Sequence, residues 1–260
     1  MMSPQLKLLT ERKICEIVPC DEPVERWEAS GVLAKNGEYF VVFDDRTEIA
    51  RISHDLQPHS SNGLLGMSHA DYGFEGITYN DRKQRFYLLV EARKHAKGCY
   101  KALIVEYDRD FKYVKDRPAD FAFESGNKGF EAIAHVRRGS KDYLLALCEG
   151  NNCKGGRKGR TPGGGRIQVF EKSKKEWRHC YGIHLPACLP FSDYSGMSVD
   201  NGRVVVVCHK KTLCSGWATS MSKNGPGPTK GDFASFRDQP MVQSCMETSR
   251  AWRGSVLLVS

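Results

Sequence analysis

Four copies of one short motif recur along this 260-residue chain, and each copy opens a stretch of the same design. The copies are Ser30-Gly31-Val32-Leu33, Phe74-Glu75-Gly76-Ile77, Phe130-Glu131-Ala132-Ile133 and Tyr194-Ser195-Gly196-Met197. A strongly apolar segment follows each copy, at residues 38–43, 85–90, 142–147 and 203–207. Equivalent residues of consecutive copies are 45, 56 and 64 positions apart. Repeats of about 40–50 residues with several strands per unit are typical of a β-propeller, and loop insertions account for the longer spacings.

The apolar segments and the turns between them predict strands rather than helices. No long stretch keeps a helical period, and the Asn-Gly pair at residues 36–37 is the strongest short signal for a hairpin. The sequence therefore predicts an all-β fold: a β-propeller of four-stranded antiparallel blades. We expect about four recognisable blades and a partial fifth.

The repeats also predict how the chain is organised. We expect one propeller domain over residues 1–260, with regular repeats at 28–210, an irregular segment at 212–248 and a partial blade at 249–260. Residues 8–18 are candidates for an outer strand of the last blade. Two interpretations stay open: a shortened or rearranged form of a longer propeller, or a complete small propeller with one irregular blade. An open ring exposes a strand edge, which favours self-association, although the sequence does not set an oligomeric state.

Composition limits the cellular setting. No segment approaches the roughly 20 apolar residues of a membrane-spanning helix, and residues 1–20 lack the apolar core of a signal peptide. We therefore expect no membrane span and a cytoplasmic protein. The ten cysteines lack the spacing of a zinc site, and we expect them to be reduced and structural.

Three of the opening motifs resemble those of a known superfamily. They are Gly73-Phe74-Glu75-Gly76-Ile77-Thr78-Tyr79, Gly129-Phe130-Glu131-Ala132-Ile133-Ala134 and Asp193-Tyr194-Ser195-Gly196-Met197. They are similar to the phytase-like β-propellers, closest to the "esterase-like activity of phytase" and SdiA-regulated branches. The resemblance covers residues 28–210 and, weakly, 249–260. It implies a calcium-dependent hydrolase of phosphoric esters, with metal and phosphate bound at one mouth of the central channel.

Four glutamates are the candidate carboxylates of such a site. Glu75 and Glu131 lie at the motif position that the resemblance assigns to metal binding, whereas Ser30 and Ser195 replace it in the other two copies. Two further glutamates each follow the second strand of a copy. We predict catalytic roles for Glu75, Glu131 and Glu149, and Ca²⁺ ligation by Glu75, Glu91, Glu131 and Glu149, because Ca²⁺ takes six to eight oxygen ligands. The alternative is structural: these side chains cap backbone N–H groups or pair with a buried cation.

Cationic and amide side chains near these glutamates are candidates for binding a small phosphorylated or acidic ligand. They are Arg93, Lys94, Lys128 and Asn151. Arginine binds phosphate through a two-pronged fork and lysine as a point charge. The alternative is that the first two simply lie at a solvated hairpin end.

A basic, glycine-rich loop at residues 154–166 offers a second function. It carries five of the cations behind the net charge of +8, together with six glycines and no acidic residue. The alternative to the hydrolase is therefore a non-catalytic binding module, in which Lys154, Arg157, Lys158 and Arg160 bind an acidic partner. The loop has no aromatic residue, so we expect no sequence-specific nucleic-acid recognition. A flexible solvated insertion is the remaining interpretation.

Overall fold

The computed structural model describes residues 8–19, 27–66, 72–95, 98–126, 128–187, 191–200, 203–208, 215–218, 243–245 and 255–259. The strands are β1 (Leu8–Lys13), β2 (Ala29–Lys35), β3 (Glu38–Phe43), β4 (Ile49–Ser53), β5 (Gly63–Leu65), β6 (Gly76–Asn80), β7 (Arg85–Lys94), β8 (Tyr100–Asp108), β9 (Tyr113–Pro118), β10 (Phe130–Arg138), β11 (Lys141–Cys148), β12 (Arg166–Lys172), β13 (Trp177–His184), β14 (Tyr194–Asp200), β15 (Arg203–Cys208), β16 (Ser215–Ala218), β17 (Gln243–Cys245) and β18 (Ser255–Val259). The helical pieces are α1 (Ile14–Ile17), α2 (Gly156–Gly159) and a 3₁₀ turn at Asn151–Cys153.

Most strands belong to sheets built in chain order. Strands β2–β5, β6–β9 and β10–β13 form three four-stranded antiparallel sheets, and β14–β16 form a three-stranded one. Asn36 and Gly37 both take positive φ, 52° and 77°, as the predicted hairpin requires. The predicted all-β fold, a propeller of four-stranded blades, is confirmed.

The first strands of the four sheets lie side by side. Strand β2 contacts β6, β6 contacts β10, β10 contacts β14, and β14 also contacts β2. A Cβ atom on Gly31 would lie 2.9 Å from the Cα of Gly76, and one on Gly76 would lie 3.3 Å from the Cα of Ala132. The small residue in the repeated motif therefore exists because inner strands approach backbone to backbone.

The core consists of apolar layers between successive blades. On β7, Phe86 and Leu88 pack toward the first blade, whereas Tyr87 and Leu89 pack toward the third. This alternation follows from the two-residue period of a strand, and it explains why the second strand of each copy is apolar throughout. Burying each such side chain contributes about 1.5–3 kcal/mol.

The structure corrects the predicted outer strands. The polar, glycine- and serine-rich composition of residues 57–72 predicts a loop, but β5 lies within them and pairs with β4. Residues 120–123 are the sequence's candidate for the fourth strand of the second blade, but that strand is β9, and Phe123 forms only a single bridge to Tyr100. Strands β16 and β17 lie in the segment expected to be irregular, and residues 219–242 of that segment are outside the described residues.

The strand at residues 8–13 pairs with the other end of the chain. Strand β1 is antiparallel to β18, which also pairs with β17. The predicted outer strand near the N-terminus therefore exists, and its partner is the apolar segment at 255–259. Among the described residues, no helix has the length and apolar character needed to cross a membrane.

One cysteine pair departs from the expectation that all cysteines are reduced. Cys148 and Cys153, five positions apart, form a disulfide. Cys148 ends β11, and the 3₁₀ turn brings Cys153 back to it. By contrast, Cys208 is a buried free thiol, as expected for a small apolar side chain within a strand.

Candidate metal centre at one end of the inner strands

A β-bulge places one side chain per blade at the start of the inner strands. Pairing of β2 with β3 skips Ser30, that of β10 with β11 skips Glu131, and that of β14 with β15 skips Ser195. Glu75, just before β6, is the equivalent residue of the second blade. Its N–H donates to the carbonyl of Leu89 (2.8 Å), and Leu89 is also the strand partner of the next residue, Gly76. Because a bulge redirects the extra side chain, these four residues are equivalent positions around the site.

The two serines differ in their hydrogen bonding. Ser30 Oγ donates to the carbonyls of Phe74 and, at 3.2 Å, Val42, so it joins the first blade to the second. Ser195 Oγ is buried and has no hydrogen-bond partner among the described residues. The first and fourth blades therefore have the geometry of the motif without its negative charge.

A second row of carboxylates lies on the second strands, just past their ends in the first and third blades and at a bulge within β7 in the second. Asp44, Glu91 and Glu149 each lie two residues beyond the strand partner of the motif's small residue. The end of a second strand lies beside the start of the first, so both rows meet at the same end of the blades. Asp44 was missed from the sequence, although aligning the first copy in strand register with the other two would have identified it.

Three of the four predicted metal ligands converge. The carboxylates of Glu91, Glu131 and Glu149, here called the acidic cluster, each offer an oxygen within 4.8 Å of the others. Each side chain is half-buried. Glu91 Oε1 accepts a 2.9 Å hydrogen bond from the N–H of Gly129, and Glu149 forms an ion pair with Lys128.

The electrostatics place Glu75 beside this cluster. Burial, followed by the carboxylates of Glu131 and Asp44, raises the pKa of Glu75. Burial and the carboxylate of Glu91 raise the pKa of Glu131, which the ammonium of Lys128 opposes. Partial burial, with neighbouring carboxylates, raises the pKa of Asp44 to about 6. Without an added cation, this end of the blades therefore holds protons at neutral pH.

The donor set fits a hard cation such as Ca²⁺. Two oxygens that share one Ca²⁺ lie within about 5 Å of each other, because each Ca–O bond is about 2.3–2.6 Å. The 4.8 Å spacing of the acidic cluster meets this limit. Carboxylate oxygens are also the ligands Ca²⁺ prefers, and a dication bound by Glu131 would favour the charged form that burial and the carboxylate of Glu91 disfavour.

The predicted phosphate-binding residues divide into two groups. Lys128 lies at the acidic cluster, and Arg93 and Lys94 are exposed at the end of β7, two and three residues beyond Glu91. The guanidinium of Arg93 lies 4.3 Å from the ring centre of Tyr72. Asn151 is fully buried and its amide donates to the carbonyl of Phe191 (2.8 Å), which leaves it no surface for a phosphate.

The basic loop is compact rather than extended. Glycines 150 and 159 pack against the carbonyl of Lys154, so close that a Cβ on either would lie within 2.2 Å of that oxygen. The Lys154 side chain pairs with Glu124. The exposed cations are Arg157, Lys158 and Arg160. Gly155 packs on the stem of Lys128, so the loop borders the acidic cluster.

A separate polar network joins the second and third blades. Glu106, which is 2% exposed, accepts from Arg117 Nη1 (2.5 Å) and from Lys172 Nζ (2.9 Å), and Lys172 also donates to the hydroxyl of Tyr87 (3.1 Å). The amide of Asn80 contacts Tyr87 and Asp142, which pairs with Lys83 and His135. Asn80 ends β6, whereas Glu75 precedes it, so the network lies away from the acidic cluster and clamps the two blades that supply it.

Comparison with known proteins gives only distant likenesses. No protein-family model and no curated protein matches the sequence. A protein of unknown function from Bacteroides caccae is 12% identical, with 76% of this chain and 59% of that chain covered and a TM-score of 0.44. The WD40 repeats of RRP9 are 7% identical (82% and 53% covered, TM-score 0.40), and the WD40 propeller of Doa1 is 9% identical (78% and 66%, TM-score 0.36). The chain spans less than two thirds of each of these structures. Likenesses this distant identify no activity, and the chain is a β-propeller by its own strand topology.

Proposed function

We propose that this protein is a phytase-like propeller that binds Ca²⁺ at the acidic cluster and hydrolyses phosphoric esters there. The observation that carries the proposal is the convergence of Glu91, Glu131 and Glu149 within 4.8 Å, from two blades. Bound Ca²⁺ would neutralise phosphate oxygens and lower the pKa of a coordinated water. The resemblance of the opening motifs favours this activity over other reactions at a carboxylate site.

The residues around the cluster have roles that follow from their charge. Lys128, paired with Glu149, is a cation that can turn to a phosphate oxygen once a dication replaces it beside the carboxylates. Glu75 lies outside the trio, and its raised pKa leaves it protonated near neutral pH, so it can donate a proton to the leaving oxygen. Arg93 and Lys94 would bind the rest of an anionic substrate.

The test is a calorimetric titration with CaCl₂, followed by an assay with a phosphate monoester. We expect saturable binding that Glu131→Gln and Glu149→Gln each weaken at least tenfold, because each removes one charged ligand. Glu171→Gln is the matched control, since Glu171 pairs with Lys141 and Arg178 on the surface. Wild-type protein that binds no Ca²⁺ and releases no phosphate would refute the proposal.

The second candidate function is a non-catalytic module that binds an acidic ligand through the basic loop. The observation that favours it is the fixed backbone under Arg157, Lys158 and Arg160, which presents three exposed cations at little entropic cost. An acidic peptide such as oligo-glutamate should bind in a salt-sensitive way, and the triple alanine variant should lose that binding. Equal binding by the variant would exclude the loop.

The cytoplasmic location remains a prediction. The disulfide between Cys148 and Cys153 is a bond that persists mainly in oxidising compartments.

A further inference from the structure

We propose that the disulfide between Cys148 and Cys153 is redox-active and sets the direction of the Glu149 side chain, so that a dithiol reductant weakens cation binding at the acidic cluster. The cation half of this inference rests on the proposed function. The other half, that reduction loosens the turn after Glu149, concerns the chain alone.

The disulfide encloses a cluster residue. Cys148 is the last residue of β11, Glu149 follows it directly, and the 3₁₀ turn ends at Cys153. Glu149 is one of the three carboxylates of the acidic cluster. The bond therefore closes a six-residue loop, 148–153, whose second member is a candidate ligand.

The backbone of that loop is strained. Asn152 and Cys153 both take positive φ, 57° and 52°. A left-handed conformation costs a non-glycine residue about 1–2 kcal/mol, and cysteine lacks the local hydrogen bond that offsets this cost for asparagine. Cys153 is therefore held in an unfavourable conformation at the residue where the covalent bond is made. Breaking that bond removes one of the constraints that hold the turn.

The rest of Glu149 is anchored separately. Its N–H donates to the carbonyl of Gly129 (3.2 Å), and its carbonyl accepts from the N–H of Tyr194 (2.9 Å). The first bond continues the β10–β11 pairing within the third blade, the second joins that blade to the fourth, and neither depends on the disulfide. Reduction should therefore leave the backbone of Glu149 in place and release the turn that follows. That turn leads to Gly155, which packs on the stem of Lys128, and Lys128 is the cation that holds the Glu149 carboxylate.

The surroundings of the two sulfurs define the exchange reaction. Cys148 is fully buried, whereas Cys153 is half-buried, so a thiolate of the reductant reaches Cys153 Sγ first. Its attack breaks the S–S bond, and Cys148 leaves as a thiolate that takes up a proton. The second thiol of the reductant then displaces Cys153, which gives two cysteine thiols and the oxidised reductant. Gln168 Nε2 donates to Cys153 Sγ (3.1 Å). This hydrogen bond stabilises negative charge on Cys153 when that sulfur leaves in the second step.

The first measurement tests the turn without any metal. Purified protein is compared before and after dithiothreitol, with thiol titration to count the cysteines released and amide hydrogen exchange to follow residues 150–153. We expect two additional thiols and faster exchange in this segment, with unchanged exchange in β10. Absence of a disulfide in the oxidised protein, or equal exchange in the two states, would overturn the inference.

The second measurement tests the cation. CaCl₂ is titrated into the oxidised protein, the reduced protein and the Cys148→Ser/Cys153→Ser variant. We expect the reduced protein and the variant to bind Ca²⁺ about tenfold more weakly than the oxidised protein, the size of effect seen when a metal ligand loses a supporting residue. Cys180→Ser, at an exposed free thiol, should change nothing. Equal binding in both redox states would overturn the inference and leave the proposed function intact. No binding even by the oxidised protein would instead overturn the proposed function and the cation half together, while the exchange result still decides the turn.

Discussion

The buried carboxylate of Glu106 allows a quantitative test of how the second and third blades are held together. Glu106 belongs to β8 of the second blade, and of its two cations Arg117 comes from the same blade and Lys172 from the third. Replacing Glu106 with glutamine keeps the shape but leaves two cations facing each other in the interior. Removing one partner of a buried ion pair costs about 3–5 kcal/mol, because the remaining charge stays buried without compensation.

Glu171 supplies a matched control in the third blade. It also pairs with two cations, Lys141 and Arg178 at 2.8 Å each, but these are 57% and 61% exposed, compared with 15% for Lys172. Solvent-exposed pairs contribute about 0–1 kcal/mol, so Glu171→Gln should cost less than about 1 kcal/mol. The difference between the two variants isolates burial, since the charge removed is the same.

The assay is urea unfolding followed by tryptophan fluorescence. Trp177 is fully buried and its ring lies 5.3 Å from Lys172 Nζ, so its emission reports on this interface. We expect Glu106→Gln to lower the free energy of unfolding by about 3–5 kcal/mol and the thermal midpoint by about 10 °C. Variants that lose stability equally, within about 1 kcal/mol, would refute the view that this network clamps the blades.

Three further predictions concern the site. The raised pKa of Glu131, about 8 against an ordinary 4.5, means that the metal-free protein loses stability as pH rises through this folded-state pKa. Ca²⁺ bound by Glu131 opposes that loss, so the stabilisation by CaCl₂ over a chelator should grow between about pH 5 and 8. Thermal unfolding across this range checks the prediction, and a gain that shrinks with pH would contradict it. Lys128→Met should raise the KM for a phosphate monoester about tenfold or more while kcat changes less, and steady-state kinetics with an unchanged KM would exclude phosphate binding by this lysine. Gly73→Ala should lower the free energy of unfolding in a urea titration by more than about 2 kcal/mol, because the new Cβ would lie 1.8 Å from the carbonyl oxygen of Asp44. Gly63→Ala is the control: its Cβ would meet nothing within 4 Å, so the same titration should show almost no change.

The sequence was informative where each blade repeats itself and much less so elsewhere. The inner strand pairs were predictable because a glycine or alanine and an apolar run recur in register. The outer strands were not, since β5 and β9 are short or polar and take their conformation from pairing with β4 and β8. Local composition carries little information about such pairing.

The candidate site shows the same division. Glu91 and Glu149 were found because each directly follows the apolar run of an equivalent strand, but Asp44 was overlooked, as its copy begins with Ser30 rather than glutamate. The disulfide could not be predicted either, because the five-residue spacing of Cys148 and Cys153 becomes a close approach only through the positive φ angles of the turn.

The bulge at the start of each inner strand has a consequence for how such a site can change over time. Serine and glutamate occupy the same bulged position in different blades, while the neighbouring small residue and the strand register stay the same. One codon change in a blade can therefore add or remove a negative charge at this end of the molecule without disturbing the strands that support it. The positions share one register but interact through their charges, so a carboxylate gained or lost in one blade shifts the pKa of the carboxylate in the next.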